Sequence, residues 1–223
     1  MAGKATVVNR LLVAVGASFA IALCAASGPA FSQPSTTTGA APPDLREPAR
    51  IVIESARSRI GTGERYDPSY FSIPYPNGDV PANRGVCTDV VIRAWRAIGL
   101  DLQALVHEDM TRHFDAYPKL WGLKRTDRNI DHRRVPNLQT FFRRNGAEIA
   151  ERSQADDFLP GDLVTWMLPR NLPHIGIVSD RRSADGKRPL ILHNIGAGSA
   201  EEDILFAYPI TGHYRFPPDP AHR

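Results

Sequence analysis

The chain has 223 residues, 42% of them hydrophobic and 23% charged, with a formal net charge of +3. That length suits one domain with additions, and the apolar share excludes a wholly disordered chain. So mild a charge gives no ground for a nucleic-acid partner.

In chain order, Lys4 and Arg10 precede an apolar run, LLVAVGASFAIALCAA, from Leu11 to Ala26. Ala30-Phe31-Ser32 then offers a small-x-small cleavage pattern. Together these predict a signal peptide over residues 1–32, removed on export to the periplasm or the exterior. An uncleaved anchor is the alternative, but the run is short for a membrane span and no stop-transfer flank follows. Lipidation at Cys24 is a third option, disfavoured by Leu23 where a small residue is wanted. The mature chain is thus expected to keep no stable membrane anchor. Removing residues 1–32 lowers the charge from +3 to +1, since the segment holds two of the 27 basic residues and none of the 24 acids.

Residues 33–47 are rich in Ser, Thr, Gly and Pro and read as a flexible linker. The domain is expected over 48–216, with a loose tail at 217–223. Ala49, Val52, Ile53, Ala56 and Ile60 at helical spacing predict a first helix over 48–60. An irregular segment at 62–86, rich in Pro, Gly, Asn and Tyr, has the length of a functional loop. A second helix follows from about Thr88 to Ile98, and a third opens at Asp101 with Leu102, Leu105, Val106 and Met110 inward. A fourth, short helix buries Leu138, Phe141 and Phe142. Strands are predicted at 163–166, 174–179, 190–193, 204–208 and 213–216, after a Pro160-Gly161-Asp162 turn. Helices followed by an antiparallel sheet define an α+β fold.

Once Cys24 leaves with the signal, Cys87 is the single cysteine. No internal disulfide is then possible, and a cysteine-based metal site is excluded by number; no metal or organic cofactor is expected. Cys87 opens the second helix, where unpaired N–H groups favour a thiolate and can hold an oxyanion. Gly85 lets the chain turn sharply into that position. Burial of a small hydrophobe explains a cysteine there equally well, so the local sequence leaves both readings open.

A cysteine nucleophile needs a histidine base and a group that orients it. Of seven histidines, His174 begins one strand and His193 ends the next. A hairpin register pairing 174 with 193 also pairs 178 with 189 and centres the turn in RRSADGKR, which sets the two rings on one face. A one-residue slip would substitute Asn194 for His193.

The order of these parts resembles a family. A cysteine opening a helix, then PGDLVTW, HIGIVSD and a hairpin ending in LHN looks like the NlpC-type cysteine peptidases of bacterial cell walls, within the papain-like superfamily. The whole chain also looks like an uncharacterised family of exported bacterial proteins carrying the same core. The resemblance implies a papain-like core in which Cys87 is the nucleophile, His174 the base and His193 the orienting residue. It implies hydrolysis of a peptide or amide bond, with a peptidoglycan fragment as substrate. A non-catalytic wall-binding or partner-binding module and a thiol acyltransferase or amidase are the rival functions. The chain departs from the family pattern at Val86, Thr88 and Asp89, where an acid before the cysteine and a serine and glycine after it are usual. Asn83, Tyr66, Tyr75, Thr88 and Asp89 are the expected substrate or oxyanion residues around the thiol. Arg125, Arg128, Arg133 and Arg134 form a basic cluster suited to an anionic polymer or to plain solvation, offset in part by Asp127 and Asp131. The glycine-rich GAGSAE lacks the strand-turn-helix setting of a phosphate cradle and takes no nucleotide role.

Overall fold

A computed structural model describes residues 47–150 and 153–217. The expected signal peptide, nearly all of the linker and the tail beyond 217 lie outside the described residues. The helices are α1 (Glu47–Arg57), α2 (Cys87–Arg96), α3 (Leu102–Arg112) and α4 (Val135–Arg144), each within a few residues of its sequence expectation. Asp101 caps α3, its carboxylate accepting the Gln103 N–H at 3.0 Å. Between α1 and α2 the irregular segment forms one short parallel pair, β1 (Arg65–Tyr66) against β2 (Arg84–Gly85).

The C-terminal half is an antiparallel sheet of β3 (Leu163–Leu168), β4 (Leu172–Arg182), β5 (Pro189–Asn194), β6 (Ser199–Glu202) and β7 (Ile210–Tyr214). Its spatial order is β6-β5-β4-β3-β7, so the architecture is α+β. Strand alternation divides the core in two. Leu163, Ile175, Ile177, Leu192 and Tyr214 meet the helices through Ile53, Val91, Trp95, Val106 and Phe142. Val164, Trp166, Val178 and Ile191 face the other way and meet Phe158 and Leu205. Fully burying side chains of this size contributes ~1.5–3 kcal/mol each.

Two strand expectations need correction. The apolar stretch 204–208 is a turn, Ala207 N–H donating to Ile204 C=O at 3.0 Å. Leu205 is buried there, and its carbonyl accepts the Trp166 indole N–H at 2.9 Å, so the stretch covers the sheet's face instead of extending its edge. The edge strand is β6, drawn from the glycine-rich GAGSAE and the acid after it. The hairpin register is also shifted. Ile177 pairs with Leu192 and Val178 with Ile191, which places Gly176, not His174, opposite His193. An irregularity between Val178 and Arg182 and a turn closed by Ser183 N–H to Arg188 C=O absorb the two extra residues. A two-residue slip preserves side-chain parity, so both histidines stay on one face.

The Pro160-Gly161-Asp162 turn is a structural hub. Gly161 has φ +88°, and a Cβ there would lie 2.7 Å from Ala49 Cβ of α1. Asp162 accepts from Leu159 N–H at 2.9 Å and from Arg215 Nε at 2.7 Å, and bonds His213 Nε2 at 2.8 Å.

Candidate active site

Cys87 is the first residue of α2 and is 5% exposed. Val86 precedes it in extended conformation, and its N–H donates to the Asp89 carboxylate at 2.7 Å. Gly85 serves a different purpose from the sharp turn expected of it. A Cβ there would fall 2.1 Å from Glu64 Oε1, so glycine is required by close approach. Glu64 itself accepts from Arg93 Nη1 at 2.8 Å, Arg59 Nε at 3.0 Å and Ser199 Oγ at 3.2 Å. This buried ion network joins the turn after α1 to α2 and β6.

The Cys87 sulfur accepts from the backbone N–H groups of Ile175 and Thr88, and these pull its pKa down. Burial outweighs them and, with the Asp89 charge, pushes the thiol up to about 11. His174 is 2% exposed, and burial, followed by the neighbouring His193, pushes it down to about 3. Thiol and imidazole therefore rest neutral unless each stabilises the other's charge on contact.

The two histidines come together as expected. His174 Nε2 lies 3.0 Å from His193 Nδ1, with the rings edge to face. His193 is fully buried, and its Nε2 lies 2.9 Å from Glu202 Oε2. A carboxylate accepts only, so His193 carries its proton on Nε2, and its Nδ1 accepts from His174 Nε2–H. That tautomer leaves His174 Nδ1 as the basic atom. A side chain at Gly176 would crowd β5, its Cβ standing 2.5 Å from Ile191 Cγ2 and 3.2 Å from His193 Cβ. Trp166 flanks His174 with ring centroids 5.8 Å apart.

Parity places His174 with Trp166 on the sheet face away from α2, while Cys87 meets Ile175 on the near face. Cys87 thus meets β4 at the Ile175 amide, one residue along from His174, near the N-terminal end of β4 where β5 no longer pairs. By strand alternation Asn194 stands on the other face of β5 from His193, which makes the contact to His174. Asn194 Oδ1 accepts from Gly196 N–H at 3.1 Å, and its buried Nδ2 has no hydrogen-bond partner.

The remaining expected residues divide. Tyr66 lines a cleft with Cys87, and the same cleft takes in Tyr70, Trp121, Arg133 and Arg134. Tyr75 lies elsewhere, its ring edge-on to His107 at 5.2 Å. Asn83 is exposed and contributes its carbonyl to Arg65 N–H at 2.9 Å. Thr88 and Asp89 are buried structural groups. Thr88 Oγ donates to Arg133 C=O at 3.1 Å, and Asp89 binds the Arg133 guanidinium through two 2.9 Å contacts. Sequence reasoning missed Glu202 and the cleft aromatics Tyr70 and Trp121, and reached Arg133 only as part of a basic cluster. Glu202 had one available signal, its place on a strand after LILHN, and that was hidden by the glycine-rich reading. Among the described residues no group of three or more His, Cys, Asp or Glu side chains is arranged to hold a metal ion.

A pH prediction follows from the buried imidazoles. Burial, with Arg133 and Arg96 nearby, also pushes His132 down to about 3, and burial lowers His193. Each has a folded-state pKa below its ordinary value of 6.5. The unfolded chain then binds more protons than the folded one between about 3 and 6.5, so stability is lost as pH falls through that window. Urea unfolding at pH 5 should show a loss of roughly 2–4 kcal/mol against pH 7.5. His174→Asn should flatten that dependence. Equal slopes in the two proteins would rule His174 out as a contributor.

The fold and this geometry define an α+β protein with a helix-opening thiol and, on its sheet, a carboxylate-anchored histidine pair. Residues 53–216 match the family described as domain of unknown function (DUF1287), and the chain belongs to it. It is similar to "Uncharacterized protein YijF" of Escherichia coli (strain K12), with 49% identity over 191 residues, covering 84% of this chain and 93% of that protein. Among the described residues no helix is long and apolar enough to cross a membrane.

Proposed function

We propose that this protein is an exported thiol hydrolase with a papain-like, NlpC-type core that cleaves an amide or peptide bond, with peptidoglycan as the substrate class. The observation that carries the reading is the relay His174–His193–Glu202, with contacts of 3.0 and 2.9 Å, at the strand end where the Cys87 sulfur meets the Ile175 amide. In this mechanism His174 Nδ1 takes the thiol proton as sulfur attacks the carbonyl. His193, held by Glu202, orients the ring and steadies the imidazolium. The proton then passes to the leaving amine, and water resolves the acyl-enzyme. N–H groups at the start of α2 face the developing oxyanion. Export of the mature chain to the periplasm or the exterior belongs to the same proposal. Mass spectrometry of purified wall fragments incubated with the wild-type protein should show new cleavage products that are absent with Cys87→Ala. Identical product sets would sink it.

One observation favours a non-catalytic binding module, namely the thiol pushed up to about 11. Alkylation separates the two readings. If His174 accepts the proton, wild type reacts with iodoacetamide at pH 7 at least about tenfold faster than His174→Ala, whose rate climbs only toward pH 10 and above. Superimposable pH profiles would favour the binding module.

A further inference from the structure

We propose that Arg134 and Trp121 form a subsite for a side-chain or terminal carboxylate of a peptide ligand, within the cleft that Cys87 lines. The inference deepens the hydrolase reading and borrows from it only that the ligand is a peptide. The cleft holds about 400 Å³, and its walls contain Tyr66, Tyr70, Trp121, Arg133 and Arg134 but no carboxylate.

The two arginines are not equivalent. The Arg133 guanidinium is engaged on every side, by Asp89 and by the carbonyls of Ser69 at 3.1 Å and Asp67 at 3.3 Å. It is a structural bolt. Arg134 makes one side-chain ion pair among the described residues, from Nη1 to Asp131 Oδ1 at a long 3.3 Å. That carboxylate is shared, since Asp131 also accepts the Asp127 N–H. Burial lowers the pKa of Arg134 despite the attraction of Asp131 and Asp127, so its charge is under-compensated where it stands.

Trp121 supplies the second half. Its ring centroid lies 4.2 Å from the Arg134 guanidinium carbon, a cation–π contact that holds the planar fork flat at the cleft wall. Trp121 is 53% exposed and sits at φ 58°, a left-handed conformation that an aromatic residue rarely adopts. An exposed, strained tryptophan braced against a partly buried cation matches a platform for a planar group. The Arg134 guanidinium donates to Asp131 from Nη1 alone, which leaves Nε and Nη2 for a carboxylate in two-point contact. The missing acid before the thiol, Val86, fits the same picture, because the cleft then attracts an anionic peptide rather than an amine.

The test uses the full chain carrying Cys87→Ala, which cannot turn over, and measures binding alone. Acetyl-Ala-Glu amide, whose one carboxylate is the side chain, should bind at least about tenfold tighter than acetyl-Ala-Gln amide, which has none, by calorimetry or NMR titration. Arg134→Gln should erase that preference, Arg134→Lys should recover part of it, and the distant Arg143→Gln should leave it unchanged. Thermal unfolding of each variant confirms that it is folded. The proposal is overturned if the two dipeptides bind alike, if Arg134→Gln keeps the preference, or if no saturable binding of the acidic dipeptide occurs to about 10 mM. Inorganic phosphate binding as tightly as the acidic dipeptide would overturn the assignment to a planar carboxylate. Loss of hydrolysis by the wild-type protein would leave this result standing, and failure here would leave the thiol mechanism standing.

Discussion

On the proposed thiol mechanism, replacing Cys87 by alanine is expected to abolish amide hydrolysis, a loss of at least ~10⁴-fold, and to leave the protein folded. The rate effect is large because a covalent mechanism has no partial substitute for its nucleophile. The chain's other cysteine, Cys24, lies in the segment expected to be removed. The structural effect is small because only one sulfur leaves a site that already borders a cleft. A cost of about 1 kcal/mol, or a midpoint shift of ~2–4 °C, is expected. Cys87→Ser sharpens the test. It keeps the volume and the backbone donors but replaces the thiol by a poorer nucleophile, so it should be nearly as inactive as alanine. A variant retaining more than about 1% of the wild-type rate would remove Cys87 from the chemistry.

Arg133→Met destabilises the fold by about 3–5 kcal/mol, read as a lowered urea midpoint with an unchanged slope. Arg133 and Asp89 have side chains only 2% exposed, and they meet in a two-point contact. Removing the guanidinium strands a carboxylate that keeps only the Val86 N–H, and frees the carbonyls of Asp67 and Ser69. An exposed pair such as Arg182–Asp156, with side chains 47% and 87% exposed, contributes at most about 1 kcal/mol by contrast. Asp89→Asn in the Arg133→Met background should restore part of the loss, because a neutral amide is cheaper to bury than an unpaired charge. A fully additive double variant would contradict this coupling. The same pair ties the start of α2 to the cleft loop, so Arg133→Met should also slow hydrolysis although Arg133 is placed here outside the chemistry.

Much of the fold was legible in the sequence because its signals are local. Val91, Ala94 and Trp95 repeat at helical spacing, and the apolar runs before and after RRSADGK alternate as strands do. The stretch ILFAY failed as a strand because apolar content cannot distinguish a strand from a turn whose Leu205 plugs the sheet's outer face. The hairpin register failed by two residues because an irregularity in β4 leaves no local mark. The histidine pairing survived because an even slip returns a side chain to its own face. Thr88 and Asp89 looked like site residues because they adjoin Cys87, yet successive helical residues project about 100° apart around the axis, and these two enter the Arg133 network.

By itself, then, the sequence determined the α+β class, the positions of the four described helices and the Cys87 thiol at a helix start, since each depends on composition or on a short repeat. It also determined that His174 and His193 share a face, through the period of two. Only the tertiary structure decided what surrounds them. It supplied Glu202 from a neighbouring edge strand, buried the thiol deeply enough to push it up to about 11, and separated a saturated Arg133 from an under-compensated Arg134. Those outcomes depend on which distant segments meet and how much water they exclude, and desolvation and long-range pairing leave no periodic trace along the chain.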